Sequence, residues 1–280
     1  MLILKKLMLL SIVSGLGESR SNKETVIKKF TSLCQLLSSL KYDGIELSIL
    51  EPERIDVNKI VEIKESYSLD ISALGTGSTY IRFGYSLGDS NEQIRKKAII
   101  QMKKYVVFAN KTNAKVIIGL IRGRYKHDNN PKKEKLNIKN SIKECCKIAE
   151  DYNVTLVFEP INRFEIDSYN TISEALELLK EINHDNLKLL IDSFHVYLEE
   201  DPVYIWDYLE EIATEVGHIH LADTNRRAPG SGHFDFKAFL NIFKKVGYED
   251  YVSIETIMKP SFEEVAKNSR EYLDFILGRE

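Results

Sequence analysis

Four apolar runs in the second half of the chain end on residues able to bind a cation or move a proton. Glu159 closes VTLVFE, Asp192 closes KLLID, His220 lies in GHIHL and Glu255 closes YVSIE. A carboxylate at the end of an apolar run is costly to desolvate unless it is paired or metal-bound. One such residue reads as an ion pair or a helix cap, whereas four in succession favour a shared cation. Two Glu, one Asp and one His make an oxygen-rich set. That set suits manganese, magnesium or cobalt better than a thiolate-preferring ion, and zinc remains compatible with it.

Polar groups cluster behind these positions. Asn162, Arg163 and Glu165 follow Glu159, and His195 stands three residues after Asp192. The segment ADTNRRAPGSGHFDF after His220 carries Arg226, Arg227, His233 and Asp235. Pro229, Gly230 and Gly232 make that segment turn-rich and able to fold over a small ligand. Arg226 is suited to hold a hydroxylated ligand or a carboxylate. His218 shares strand parity with His220, so it also points inward, one step deeper, as a core or supporting histidine. His127 and His184 read as surface residues. Arg122, Arg124 and Lys126, or Arg227, would serve as a phosphate clamp if the ligand were phosphorylated.

Such groups converge only if the elements carrying them are parallel. β-type runs recur at residues 9–15, 44–49, 69–74, 115–120, 154–159, 188–192, 217–221 and 251–255. Amphipathic helical patterns lie between them, as at residues 91–111 and 173–182. Strict alternation predicts a parallel sheet, and eight units in 280 residues predict closure into a (β/α)8 TIM barrel over one domain, 1–280. An open doubly wound sheet lacks the GxGxxG that would support it after the first run. Polar segments 75–92 and 122–135 follow strands, on the face where barrel enzymes carry their sites.

A net charge of -3 supplies no global field for nucleic acid. No apolar span of ~18 residues occurs, so no membrane crossing is expected. Lys5 and Lys6 before an apolar run resemble the start of a signal peptide, but the run is short and is expected to be the first strand. Cys34, Cys145 and Cys146 do not form a disulfide framework, which fits a reducing cytoplasm.

FEPINRFE, IDSFHVYLEED, GHIHLADTNRRAPGSG and SIETI, taken together, resemble the ketose 3-epimerase branch (D-psicose and D-tagatose 3-epimerase type) of the xylose isomerase-like barrel superfamily. GIELS and VIIGLIRG extend the superfamily likeness toward the N-terminus. The resemblance implies Glu159, Asp192, His220 and Glu255 as metal ligands, and Glu165, His195 and Arg226 as sugar-contacting residues. It further implies Glu159 and Glu255 as the proton-transferring pair, a small sugar as substrate, and a homodimer or homotetramer. Pro160 and PGSGHFDF are closer to the wider sugar phosphate isomerase/epimerase and inosose dehydratase pattern. Aldose–ketose isomerisation, a sugar-phosphate substrate and dehydration are therefore the nearest alternatives. An apurinic endonuclease would need histidines from early strands, and none precedes His127. A non-catalytic binding barrel would be expected to have lost ligands, and all four are present.

Overall fold

The computed structural model describes residues 8–16, 22–125 and 130–279. Lys5, Lys6, Lys126 and His127 lie outside them. Among the described residues, eight parallel strands pair in chain order and close on themselves. In sequence they run β1 (Leu9–Gly15), α1 (Lys23–Ser39), β2 (Gly44–Ser48), α2 (Val57–Ser66), β3 (Asp70–Gly75), α3 (Gly77–Phe83), α4 (Glu92–Thr112), β4 (Lys115–Ile118) and α5 (Pro131–Asp151). The second half continues β5 (Leu156–Phe158), α6 (Ile172–Ile182), β6 (Leu187–Asp192), α7 (Ser193–Glu199), α8 (Ile205–Ile212), β7 (Val216–Leu221), α9 (Phe236–Lys245), β8 (Tyr251–Ile254) and α10 (Phe262–Leu277). The expected (β/α)8 barrel is the fold that forms.

Local chemistry sets the element ends. Asn22, Asp56, Asn91 and Asn130 each accept a backbone N–H at a helix start, and Pro131 opens α5 where its missing N–H costs nothing. Thr171 and Glu174 cap α6 reciprocally. Asn113 and Asn183 end α4 and α6 in the left-handed conformation that a short amide side chain tolerates. Some expected bounds change. The segment 75–92 contains α3, seven residues, too short to show a helical stripe. β5 and β8 end one residue early, so Glu159 and Glu255 stand just beyond the sheet, free to turn into the mouth.

Outward-facing side chains of the strands pack under the helices in one continuous core. The barrel interior is divided. Ala73, Ile117, Val157 and Leu190, from β3 to β6, form a small apolar plug. The other wall, from β7, β8, β1 and β2, is polar: Ser253 pairs in register with both His220 and Ser11, and Val13 with Glu46. Lys115 closes the floor, donating to the Gly217 carbonyl at 2.6 Å and to the Asp250 carboxylate. Hydrophobic filling is thus withdrawn from one side of the barrel, and polar side chains occupy it. No helix among the described residues is long and apolar enough to cross a membrane.

Candidate active site

A cavity of about 240 Å³ opens at the C-terminal ends of the strands, where Glu159, Glu165, His195, His220, Arg226 and Glu255 meet. It is smaller than the roughly 300–1,000 Å³ of drug-sized sites, which suits a single small metabolite. Glu159, Asp192, His220 and Glu255 each offer one ligand atom, all within 4.8 Å of one another. His220 Nδ1 lies 3.4 Å from Glu159 Oε1 and 3.5 Å from Glu255 Oε2. Glu159 Oε1 and His220 Nδ1 are buried without a hydrogen-bond partner. Buried polar atoms are rarely left so, and two of them facing each other within an oxygen-rich set fit a divalent cation.

Backbone contacts aim each group. Asp192 ends β6 and also caps α7, accepting the Phe194 N–H through Oδ1 at 2.8 Å, which leaves Oδ2 for the cavity. The Glu159 N–H donates to Ile118, and the Glu255 N–H to Leu221, so each carboxylate is tied to the preceding strand. Gly119 provides clearance: a Cβ there would lie 2.7 Å from Glu159 Oε2.

The expected sugar-contacting residues are brought to the same place. Asn162 links two of them. Its Oδ1 accepts the Phe164 N–H at 3.0 Å, which fixes the amide orientation. Its Nδ2 therefore faces Glu165 Oε1 at 2.9 Å and His195 Nδ1 at 2.8 Å, donating to both. Nδ1 of His195 is then the acceptor, and Nε2 carries the proton. That Nε2 is aimed at the cavity, 3.8 Å from Glu159 and 3.8 Å from Asp192.

Arg226 is delivered by a loop that Asp223 organises. The buried Asp223 carboxylate accepts the N–H groups of Thr224, Gly230 and Phe234. Arg226 takes a left-handed backbone, φ 59, at the turn this creates. Its guanidinium lies over the Phe194 ring and donates to Asp192 Oδ2 at 2.7 Å and to Glu255 Oε2 at 2.5 Å. Of the other residues in this segment, His233 and Arg227 are exposed, and Asp235 caps α9.

Several expectations are corrected. Arg122 is no phosphate clamp: it is fully buried, lies against Phe158, and donates to the carbonyls of Gly119, Glu159, Ser168 and Tyr169. Burial lowers its pKa to about 10, still cationic at neutral pH. Its fork is spent on backbone. Arg124 is exposed and donates to the Phe164 carbonyl. His184 is only partly exposed and faces Glu150 on the outer surface. His218 is buried as expected, but its partner, Glu46 of β2, was not anticipated. Glu46 Oε2 accepts from His218 Nε2 at 2.9 Å and His220 Nε2 at 3.0 Å. An acid at the centre of GIELS, on the inward parity of an apolar strand, was the available signal.

The electrostatics separate the carboxyl groups. Burial raises Glu159, and the Glu255 charge raises it further, with His220 and His195 opposing. Burial acts on Glu255 too, but Arg226 and His220 override it and hold Glu255 well below the carboxylate range. Burial would also raise Glu46, yet the two histidines bring it down to about 2. Burial would lower His220, and the surrounding carboxylates push it well above the usual imidazole value instead.

The model for the xylose isomerase-like TIM barrel family matches residues 34–276. A D-psicose 3-epimerase of Ruminiclostridium cellulolyticum is 31% identical over 119 residues, 42% of this chain and 40% of that protein. The matched segment thus spans less than half of that relative's length. A 3-dehydro-D-guloside 4-epimerase of Escherichia coli is 24% identical over 242 residues, 83% of this chain and 87% of that protein. The crystal structure of a D-allulose 3-epimerase from Methylomonas sp. has the same fold, with TM-score 0.82 at 18% identity over 97% of this chain and 98% of that one. With a family match running from α1 to α10 and the closed eight-stranded barrel beneath it, this chain belongs to the xylose isomerase-like TIM barrel family.

Proposed function

We propose that this protein is a divalent-metal-dependent ketose 3-epimerase acting on a free, unphosphorylated sugar. It is an enzyme of the isomerase class acting on carbohydrates. The supporting observation is the pair Glu159 and Glu255, which approach the same His220 nitrogen from β5 and β8 at 3.4 Å and 3.5 Å. Glu159, Asp192, His220 and Glu255 would hold the cation, with manganese the ion best suited to three carboxylates and one imidazole. When bound, the ion supplies Lewis-acid polarisation of the ketone and its neighbouring hydroxyl, which acidifies the C–H bond between them.

The residues of the chain supply the rest. Inverting a carbon requires one group to remove a proton and another to return one from the opposite face. Two carboxyl groups just beyond the ends of strands three apart, pushed in opposite pKa directions, meet that requirement. Arg226, in contact with Glu255, is a source of the asymmetry. His195 presents Nε2–H, a donor for a substrate oxygen, and Glu165 is an acceptor for a hydroxyl. Arg226 is the sole arginine or lysine among the described residues of the cavity lining, and its fork already serves two carboxylates. That lining favours a neutral sugar over a phosphosugar. Three buried free cysteines support a reducing, cytoplasmic setting.

The test is deuterium incorporation. Manganese-loaded protein is incubated with free ketoses and 3-keto-glucosides in D2O, and the label is located by NMR. Label at C3 with the C3 epimer is the expected result. Label at C4 of a keto-glucoside would make the protein a 4-epimerase like its Escherichia coli relative. Label at C1 or C2 with an aldose product would make it an isomerase.

A further inference from the structure

Glu46 is distant in sequence from every proposed ligand and lies in GIELS, outside the second-half motifs that carry the proposed ligands. It stands on β2, faces inward beside Val13, and is 1% exposed. One of its oxygens, Oε2, sits between two imidazoles, 2.9 Å from His218 Nε2 and 3.0 Å from His220 Nε2. The two rings stand edge to face at 5.2 Å around it. An ionised carboxylate only accepts, so both Nε2 atoms carry protons. For His220 this leaves Nδ1 as the ligating nitrogen, and Nδ1 is the atom that faces Glu159 and Glu255.

We propose that Glu46 is a positioning residue: it holds the His220 ring with Nε2 protonated and Nδ1 turned to the cation, and His218 pins the Glu46 carboxylate in that direction. This rests on the metal reading given above. A histidine that binds a metal through one nitrogen commonly donates the other N–H to a carboxylate, and loss of that partner lowers metal affinity by about 10–100-fold. His218 explains why the arrangement is rigid. A carboxylate holding a single N–H can swing about its last torsion, whereas a second donor on the same oxygen fixes both its rotation and its depth. Glu46, His218 and His220 also lie close enough to bind an ion of their own. Their geometry is that of hydrogen bonding, because the oxygen such an ion would need already accepts two N–H groups.

The experiment compares wild type, Glu46→Gln and Glu46→Leu, full-length, by Mn²⁺ titration with electron paramagnetic resonance and by ¹⁵N-detected imidazole NMR of the Mg²⁺-loaded proteins. Gln keeps an acceptor without the charge, and Leu removes both. Expected are one ion per chain in wild type, affinity about 100-fold weaker in Glu46→Leu, and a loss of about tenfold in Glu46→Gln. His220 should show a single Nε2–H tautomer in wild type and Glu46→Gln. In Glu46→Leu that signature should be lost. His218→Phe provides a variant that leaves Glu46 in place, and a several-fold loss of affinity is expected there. Equal losses in the Gln and Leu variants would reduce Glu46 to a distant charge and overturn the proposal. So would wild-type affinity in Glu46→Leu, or, if that variant does not fold, wild-type affinity in both Glu46→Gln and His218→Phe. Two ions per chain, the second lost in Glu46→Gln, would overturn it in favour of a second metal site. If wild type binds no divalent ion, the metal reading itself falls; if wild type binds and the variants match it, only the role of Glu46 falls.

Discussion

The substitution Asn162→Asp exchanges a single side-chain nitrogen for oxygen and should reverse the hydrogen-bonding role of His195. In the native protein the Phe164 N–H holds Oδ1, so Nδ2 supplies both remaining contacts, to Glu165 at 2.9 Å and to His195 Nδ1 at 2.8 Å. The variant would put a carboxylate oxygen where Nδ2 was. That oxygen meets Glu165 as one acceptor against another, and it can meet His195 only by accepting from Nδ1–H. A neutral His195 then turns a lone pair toward the ligand in place of Nε2–H. The lost Asn162–Glu165 hydrogen bond is worth about 0.5–1.5 kcal/mol, before any added repulsion between the two acceptors. Removing a donor aimed at an oxygen that gains charge in the transition state costs about 2.7–4 kcal/mol, or 10²–10³ in rate. The expected fall in kcat/KM is therefore at least about 100-fold, measured as the initial rate of deuterium exchange at C3, with the His195 tautomer followed by ¹⁵N NMR. A kcat/KM within about threefold of wild type, or a His195 tautomer unchanged by the substitution, would refute this account of how the ligand is held.

Further outcomes follow from the same geometry. Glu255→Gln should retain near-UV circular dichroism and lose C3 exchange; wild-type exchange in that variant would remove the two-carboxyl mechanism. Arg122→Met should leave the carbonyls of Glu159, Ser168 and Tyr169 without their donor, while Gly119 keeps the backbone N–H of residue 122; at about 1–3 kcal/mol each, a loss of at least ~3 kcal/mol and a fall in Tm of roughly 6–12 °C are expected by calorimetry. An unchanged Tm would show those carbonyls to be satisfied otherwise. Glu46, at about 2 in the folded protein against 4.5 as its ordinary value, contributes stability that is complete above about pH 4.5 and lost as pH falls through 2. Urea unfolding of metal-free protein should therefore show the wild-type advantage over Glu46→Gln shrinking across that window, and a constant difference would contradict it.

Local pattern was sufficient for the architecture. Alternating short apolar runs and amphipathic helices leave few ways to bury both faces of a parallel sheet, and eight such units close into a barrel. Glu159, Asp192, His220 and Glu255 were visible for a related reason: a titratable group that ends an apolar run stands out against its neighbours, and the C-terminal ends of parallel strands share one mouth. Glu165, His195 and Arg226 stood out only as polar groups behind the strand ends, and their proposed role came from motif resemblance, since no periodicity encodes the path that brings them to the cavity.

Arg122 and Glu46 mark where that legibility stopped. In sequence Arg122 is a basic residue in a polar segment, suited to phosphate; in the fold it is buried among carbonyls of residues 119–169, contacts that exist only once β4 and β5 are paired. Glu46 belongs with His218 and His220, 172 and 174 residues away, because β2 and β7 bring their inward-facing side chains together across the barrel interior. Asn162 was seen, but not that its two amide hydrogens would set both Glu165 and His195. Residue type and period decide which groups reach the mouth of the barrel. Which nitrogen carries a proton, which carboxyl stays ionised and which arginine reaches the cavity depend on desolvation and on partners supplied by other strands, and these come into being only when the barrel closes.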